Sequence, residues 1–427
     1  MRPVWILALA ALGCRGILGI EQPITSDGSL DAPTSCTDWH PQGFDPCTLG
    51  APMPMLHLGA GQYTYDTTTT RCDGPRDVEC AGGMLLDSGR HVLRQSQLSV
   101  TQSDGSAVAV WSVDTLAIDA GATISVVGKK PLLVVAWSSI AIDGVLDAGS
   151  HIGVTNPPAH IAQTVQFGAG ANEACGANVG GNGANAGSSG SGGGGGGGLQ
   201  GAGGAGAASA GTSVAGGMGG ASMPALVIRG GCPGGASGTA GPGATTPALS
   251  SSQTLGGAGG GALRLVAHDA ITVTGSVGAN GAGGAGAPLN SACGGGGGGS
   301  GGYVAFEAPT VMLGANAKVT ANGGGGGGGG GNTLGDAGND GADGKFDVQP
   351  APGGGTSNDS CGQPGGASSA GTELAGSNGP VPTGCTGGAS RSGGGGGGGG
   401  GAGFLFVASP GYTAAATAKI SPPMRVQ

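Results

Sequence analysis

The sequence predicts an all-β protein: a short parallel β-helix or β-solenoid-like stack, interrupted by long glycine-rich loops that can pack in a polyglycine-II-like manner. Three observations lead there. Five segments of about twenty residues align with one another, and within each the apolar residues alternate at period two. Gly supplies 105 of 427 residues, with aromatics at 3% and charged residues at 9%. Such a composition leaves too few large side chains for an ordinary core along most of the chain. Finally, there are pure glycine runs at 192–198, 294–299, 323–331 and 393–401, and three of them abut an alternating segment, at Tyr303, at Phe404 and just after Asn322.

The five segments are Val108–Gly128, Leu132–Gly149, Ala262–Gly281, Tyr303–Gly323 and Phe404–Pro422. Each has an apolar alternating run, a short polar break and a second alternating piece, which reads as two or three very short strands. Asp, Asn, Gly and Pro at the breaks suit tight turns. One such unit cannot bury a face alone, whereas stacked units can, which is the logic of repeat architectures. Val113 and Ala136 occupy equivalent positions one repeat apart. Glycine-rich excursions then leave the stack at about 150–258, 282–302 and 324–403. Gly loses more backbone entropy on ordering than any other residue. The runs therefore either stay mobile or recover that loss through dense lateral hydrogen bonding, and both states are compatible with the sequence. Collagen is not: Gly falls on a strict three-residue period only over Gly335, Gly338, Gly341 and Gly344.

Ahead of the repeats, residues 1–14 read MRPVWILALAALGC. Arg2 and a short apolar run form an export signal over 1–13, since the run is too short for a membrane span. The ending Ala11-Leu12-Gly13-Cys14 resembles a bacterial lipobox, which implies lipidation at Cys14. In that class Arg15 is not the acidic retention signal of the inner membrane, so an outer-membrane or cell-surface location is expected. Residues 14–35 read as the lipidated Cys and its tether, 36–105 as a cysteine-containing N-terminal cap, and 106–427 as the repeats with their excursions.

Nine further cysteines fit an oxidising compartment. Nearest-neighbour pairing gives Cys36–Cys47, Cys72–Cys80, Cys175–Cys232 and Cys361–Cys385 and leaves Cys293 over. Sequence alone does not decide between connectivities, and no Cys-x-x-Cys pair points to zinc.

Behind the lipobox, Leu12-Gly13-Cys14, Phe44-Asp45-Pro46-Cys47, Tyr63-Thr64-Tyr65-Asp66-Thr67 and junctions such as Ala321-Asn322-Gly323 carry a resemblance. The chain resembles glycine-rich (PGRS-like) surface lipoproteins of myxobacterial type. The mycobacterial amino-terminal module is not visible in it. The resemblance implies no activity. The repeats also look like pectin-lyase-type β-helices at fold level, which carries no function by itself.

No catalytic constellation emerges, and the expectation is a protein that is not an enzyme, without metal or other cofactor. Gly298-Gly299-Ser300-Gly301-Gly302 matches the serine-hydrolase pattern but lacks the strand-to-helix elbow that the pattern needs. The six histidines (His40, His57, His91, His151, His160 and His268) show no metal-ligand spacing. Asp119 and Asp143 close Ala-Ile-Asp repeats 24 residues apart and are expected on neighbouring rungs, with Asp147 able to join them. Paired carboxylates can do acid/base work or hold Ca²⁺; an Asp turn ladder is the plainer reading. Gly335–Gly344, with Asp336, Asn339, Asp340 and Asp343, is loosely similar to a calcium-binding repeat, although an acidic solvated loop suffices. A net charge of −9 without a basic stripe argues against nucleic acid. The expected function is a non-catalytic cell-envelope lipoprotein with a structural or adhesive role. Its expected partners are the membrane through the lipid, and extracellular polysaccharide or cell wall. The alternatives are a polysaccharide-active β-helix enzyme using Asp119, Asp143 and Asp147, and a Ca²⁺-dependent carbohydrate-binding module.

Overall fold

A computed structural model describes residues 36–68, 82–96, 98–153, 165–186, 190–211, 213–224, 227–240, 253–331, 336–356, 361–380 and 393–427. The export signal, Cys14, the tether, Cys72, Cys80, His160 and Cys385 lie outside the described residues.

The described chain is all-β, with only short 3₁₀ turns and no α-helix. Near the start come β1 (Leu56–Leu58), β2 (Gly61–Asp66), β3 (Gly83–Leu86), β4 (Val92–Ser96) and β5 (Leu98–Thr101). The first aligned segment supplies β6 (Ala107–Val113), β7 (Leu116–Ile118) and β8 (Ala122–Val127). The second supplies β9 (Leu132–Ala136), β10 (Ser139–Ile142) and β11 (Val145–Asp147), and a small pair, β12 (His151–Ile152) and β13 (Val165–Gln166), follows. The third supplies β14 (Ala262–Ala267), β15 (Ala270–Val273) and β16 (Ser276–Gly278). The fourth supplies β17 (Tyr303–Glu307), β18 (Thr310–Leu313) and β19 (Lys318–Thr320). The fifth supplies β20 (Phe404–Ala408), β21 (Gly411–Ala414) and β22 (Lys419–Ser421), before β23 (Arg425–Val426).

Every aligned segment thus gives one strand to each of three sheets, in the orders β5-β6-β9-β14-β17-β20-β23, β1-β7-β10-β15-β18-β21 and β4-β3-β2-β8-β11-β16-β19-β22. Pairing between neighbouring segments is parallel, and Val113 pairs with Ala136 as their spacing predicts. Among the described strands, the antiparallel pairs are β2–β3, β3–β4, β5–β6 and β12–β13. Two strands within residues 36–105 also join the sheets in parallel: β1 pairs with β7, and β2 with β8.

Because side chains alternate across a strand, in-register parallel pairing stacks like on like. Ile118, Ile142, Val273 and Leu313 are successive partners in the second sheet. In the first sheet, Trp111, Val134, Leu265, Phe306 and Val407 follow one another in the same way. In the third, Ile124, Leu146, Val277 and Val319 do so. All belong to a single buried cluster, so the three inner faces share one core. Tyr65 closes it beside Trp111, with ring centroids 4.7 Å apart, and its hydroxyl donates to the Gly82 carbonyl at 2.8 Å.

The outer face of the first sheet is covered in turn. Trp39 and Leu49, on a segment stapled by the Cys36–Cys47 disulfide, pack with Ile228 against Val108, Val110, Leu133 and Val135. A second disulfide joins Cys175 to Cys232 across 57 residues. Cys361 is disulfide-bonded, and Cys293 is buried.

The glycine-rich segments are packed. The amides of Gly192, Gly195 and Gly198 donate to Ala184, Gly181 and Asn178; those of Gly193 and Gly196 to Ala207 and Gly204; those of Gly194 and Gly197 to Gly295 and Gly298. Their carbonyls accept from the segments 217–220, 235–238 and 398–401. The partner therefore changes with each residue and returns at every third, and run 192–198 has six neighbours. The runs 294–299, 323–331 and 393–401 are bonded in the same way, partly to one another: Gly295 to Gly395, Gly398 to Gly194, Gly327 to Gly296 and Gly397 to Gly327. All four runs are buried throughout.

A Cβ has no room there. Built on Gly297 it would lie 1.9 Å from the Gly195 carbonyl oxygen, and on Gly194 it would lie 2.1 Å from that of Gly235. Around the four runs, segments such as 201–208 keep Gly or Ala toward the interior and half-exposed Ala202, Ala205 and Ala208 on the outside. Gly297→Ala is expected to lower the urea midpoint by the equivalent of about 3 kcal/mol or more, because backbone rather than a flexible side chain must move. Ala215→Ser, at an exposed position of segment 213–224, is expected to stay within about 0.5 kcal/mol of the parent. Equal effects of the two substitutions would contradict the packed arrangement.

Candidate functional site

The candidate chemistry lies where the chain turns out of the sheets. Asp119 and Asp143 follow β7 and β10, whose ends Ile118 and Ile142 are register partners, so the two aspartates occupy neighbouring rungs of one turn. The Asp143 amide donates to the Ile118 carbonyl at 2.8 Å. Their carboxylates are engaged separately. Asp119 meets His57 Nε2 at 2.7 Å, and Asp143 accepts from the Thr274 hydroxyl, on the next rung. Asp147 sits at the far end of β11, where it accepts from the Gly149 amide at 2.7 Å and meets His151 Nε2 at 2.9 Å. The structure therefore places Asp119 and Asp143 on one turn and Asp147 on another.

Asp143 does have a basic neighbourhood. An open groove beside it is lined by Thr123, Ser276, Asn316, Lys318, Thr417 and Lys419. Lys318 and Lys419 are register partners on β19 and β22. Lys419 pairs with Asp347 at 3.1 Å, and the amide of Val348, followed by Lys419, holds the Asp347 carboxyl below the usual carboxylate range. Along the sequence only Lys129 and Lys130 lie close to these aspartates. Lys318 and Lys419 come from later repeats, and their arrival is visible only once the register is known.

Asp340 and Asp343 are spaced by three residues, so they face the same neighbour. Asp340 accepts from the Gly286 amide at 2.8 Å and Asp343 from the Gly283 amide at 2.9 Å. The backbone beside them is bonded in step, Gly338 to Ala287, Gly341 to Gly284 and Gly344 to Gly281. These carboxylates dock one glycine-rich segment on another rather than converge. No group of three or more His, Cys, Asp or Glu able to hold a metal occurs among the described residues.

His151 bridges the two parts of the molecule. Its Nε2 meets Asp147 on the third sheet, and its Nδ1 lies 3.3 Å from Asp343 on the glycine-rich segment. The hydrogen bond to Asp147, then that to Asp343, push the His151 pKa up to about 10 against an opposing burial effect. His57, His91 and His268 each pair with one aspartate, Asp119, Asp87 and Asp269. His40 is exposed. Ser300 is fully buried, and its hydroxyl accepts from the Cys232 amide at 2.8 Å. The G-x-S-x-G match is therefore part of a packed glycine segment.

With this geometry in hand, comparison with known proteins adds nothing to it: the chain matches no protein family, no curated protein sequence and no solved structure. Among the described residues no helix is long and apolar enough to cross a membrane.

The His151 bridge has a defined pH signature. A histidine whose folded pKa is raised above its unfolded value of about 6.5 stabilises the fold fully below that value. The contribution is lost as pH climbs through about 10. Wild type is expected to lose stability relative to His151→Gln between about pH 6.5 and 10. Denaturant midpoints of the two proteins should therefore converge at high pH; a constant gap would contradict the assignment.

Proposed function

We propose that this is a non-catalytic envelope protein, held at the outer membrane or cell surface by a lipid on Cys14, with a structural or adhesive role. In this reading the stacked three-strand units are a short, rigid β-solenoid stalk carried on the membrane tether. The glycine-rich segments are a polyglycine-II-like bundle, which presents flat, rigid outer faces to matrix polysaccharide, wall or neighbouring cells.

One observation carries the reading: the four pure glycine runs are buried, with amides and carbonyls bonded laterally at a three-residue period. Three residues per turn is the period of the polyproline-II helix. A body so built has few side chains with which to form a reacting centre. What it offers is a stiff surface whose outward residues repeat at every third position, about 9 Å apart along each segment at roughly 3.1 Å per residue. Val179, Asn182 and Asn185 on one segment and Ala215, Met218 and Ala221 on its bonded neighbour form such rows, all exposed.

A second reading, action on polysaccharide, is favoured by the groove that joins Asp143 to Lys318 and Lys419. It requires Asp143→Asn to abolish carbohydrate turnover by the purified protein. Unchanged turnover in that variant removes it.

The envelope reading is tested by protease treatment of intact cells carrying wild type or Cys14→Ser. Wild type shaved from the surface, with the variant released into the medium, is the expected result. Wild type protected until the outer membrane is broken would move the protein to the periplasm and end the adhesive role toward other cells.

A further inference from the structure

The outer face of the first sheet is covered at both ends but not in the middle. Toward β6 and β9 it lies under Trp39, Leu49 and Ile228. Toward β20 it lies under Leu199 and Met223, which pack on Phe404, Phe406 and Ala305. Between the two covers runs a groove of about 320 Å³, with Phe44, Arg264, Tyr303, Glu307 and Phe406 in its walls and Gln42 at its edge.

The placement follows from register. Val304 and Phe306 point into the core, so Tyr303 and Glu307 point out. Tyr303 pairs with Phe404, which brings its ring 5.5 Å from that of Phe406. Arg264 pairs with Ala305 on the same face, next to Glu307, and forms an ion pair with it. Phe44 lies under the Arg264 guanidinium, 5.9 Å from its centre. Arg264 also donates to the Gln42 carbonyl at 2.7 Å, and the Gln42 amide donates to Glu307 at 2.8 Å.

We infer that this groove binds one ring of a neutral glycan, stacked on Tyr303 and hydrogen-bonded by the Arg264–Glu307 pair. An aromatic face next to fixed polar groups is the usual make-up of a small-ligand site. The charged side chains of the lining are one cation and one anion, Arg264 and Glu307, which neutralise each other and favour an uncharged ligand. Guanidinium donors and carboxylate acceptors held side by side match adjacent sugar hydroxyls, each of which both donates and accepts. The ion pair is held from both sides by Gln42, so it is set before a ligand arrives. The Tyr303 ring is partly buried, and this burial pushes its hydroxyl pKa up. That hydroxyl therefore stays a donor at any physiological pH. The strands at the groove floor, β14, β17 and β20, are each paired on both edges, which leaves no edge for an added peptide strand.

The inference rests on the adhesive reading for its biological setting and adds to it a ligand class and a site. Affinity electrophoresis of the full-length protein in gels containing dextran, laminarin, mannan or xyloglucan, with alginate as an acidic comparator, tests it. Wild type is expected to be retarded by at least one neutral polysaccharide and not by alginate alone. Tyr303→Ala and Glu307→Gln are expected to weaken that binding about tenfold, and Tyr303→Phe, which keeps the ring, about threefold. Since Tyr303→Ala could disturb the sheet, wild type with labelled tyrosine provides a second readout. Of its four tyrosines, Tyr303 alone should shift in NMR spectra on addition of oligosaccharides from the retarding polysaccharide. Absence of retardation by every neutral polysaccharide overturns the site, as does retardation that all three variants retain in full. If protease shaving still places the protein on the surface after such a result, the envelope reading survives and only this site is lost.

Discussion

Everything in the glycine-rich half depends on one constraint: a buried backbone amide or carbonyl must find a partner. A burial that removes water without supplying hydrogen bonds costs about 1–3 kcal/mol per group. Residues 192–198 contribute no side chains, so no apolar burial offsets that cost. The interior of the assembly is therefore stable only if each run has neighbours on all sides, close enough for N–H to C=O contact. Six neighbours at a three-residue period meet that condition. The same closeness forbids a Cβ, which would meet a carbonyl oxygen about 2 Å away at nearly every interior position. Purity of the runs is thus a packing requirement, as large apolar side chains are in an ordinary core.

The sheets and the glycine segments depend on each other at their junctions. Segments 279–287 and 321–331 leave from β16 and β19, while 253–261, 291–302 and 393–403 lead into β14, β17 and β20. The sheets therefore fix where five of the segments begin or end. At the exits the sequence repeats as Ala279-Asn280-Gly281 and Ala321-Asn322-Gly323. The two Asn side chains, both buried, run a ladder across the change of geometry. Asn280 Oδ1 accepts from the Asn322 amide at 2.9 Å, and its Nδ2 donates to Thr320 at 3.0 Å. Asn322 Nδ2 donates to the carbonyls of Lys345 and Asp347, and its Oδ1 accepts from Ser421 at 2.5 Å. At the exit after β11, Gly149 takes the register position of Asn280, and the next residue, Ser150, accepts from the Gly168 amide and donates to the Gly259 carbonyl. A short amide or hydroxyl side chain at or next to this position supplies the bonds that neither the parallel ladder nor the lateral glycine bonding reaches.

What the sequence revealed and what it hid divide along the range of the interactions. The five segments were legible because alternation is local, and Val113–Ala136 pairing follows from their spacing. Asp119 and Asp143 were placed on neighbouring rungs for the same reason. The cysteine pairs 36–47 and 175–232 agreed with simple proximity along the chain. By contrast β1 and β2 escaped notice: Leu56-His57-Leu58 is too short to show a period, and Gly61–Asp66 has one buried apolar side chain, Tyr65. Order in the glycine runs was left open because the partners of one run lie far off in sequence; Gly194 bonds to both Gly295 and Gly398. Lys318 and Lys419 beside Asp143, and Tyr303 beside Phe406 and Arg264, are products of cross-strand register in the same way. A single sequence marks the residue types and not which of them meet.

The division of labour within the molecule follows from these constraints. Interior glycine positions tolerate nothing else, so they carry no information about a partner. On the perimeter, one residue in three points outward; Ala202, Ala205 and Ala208 do so without lateral side-chain bonds, whereas Asn182 and Asn185 accept from the Ala236 and Thr239 amides. The outward side chains of such a surface, Val179 and Met218 among them, stand on a fixed grid. Long, chemically varied side chains are concentrated instead on the outer faces of the sheets, where β-strands space them and covering segments leave gaps. The Arg264–Glu307 pair and the tyrosine beside it lie there, and the Asp143 groove lies where a turn meets the two lysines of the third sheet. In the proposed reading, the glycine-rich body supplies area and stiffness, and the sheets carry the varied side chains with which a ligand would be chosen.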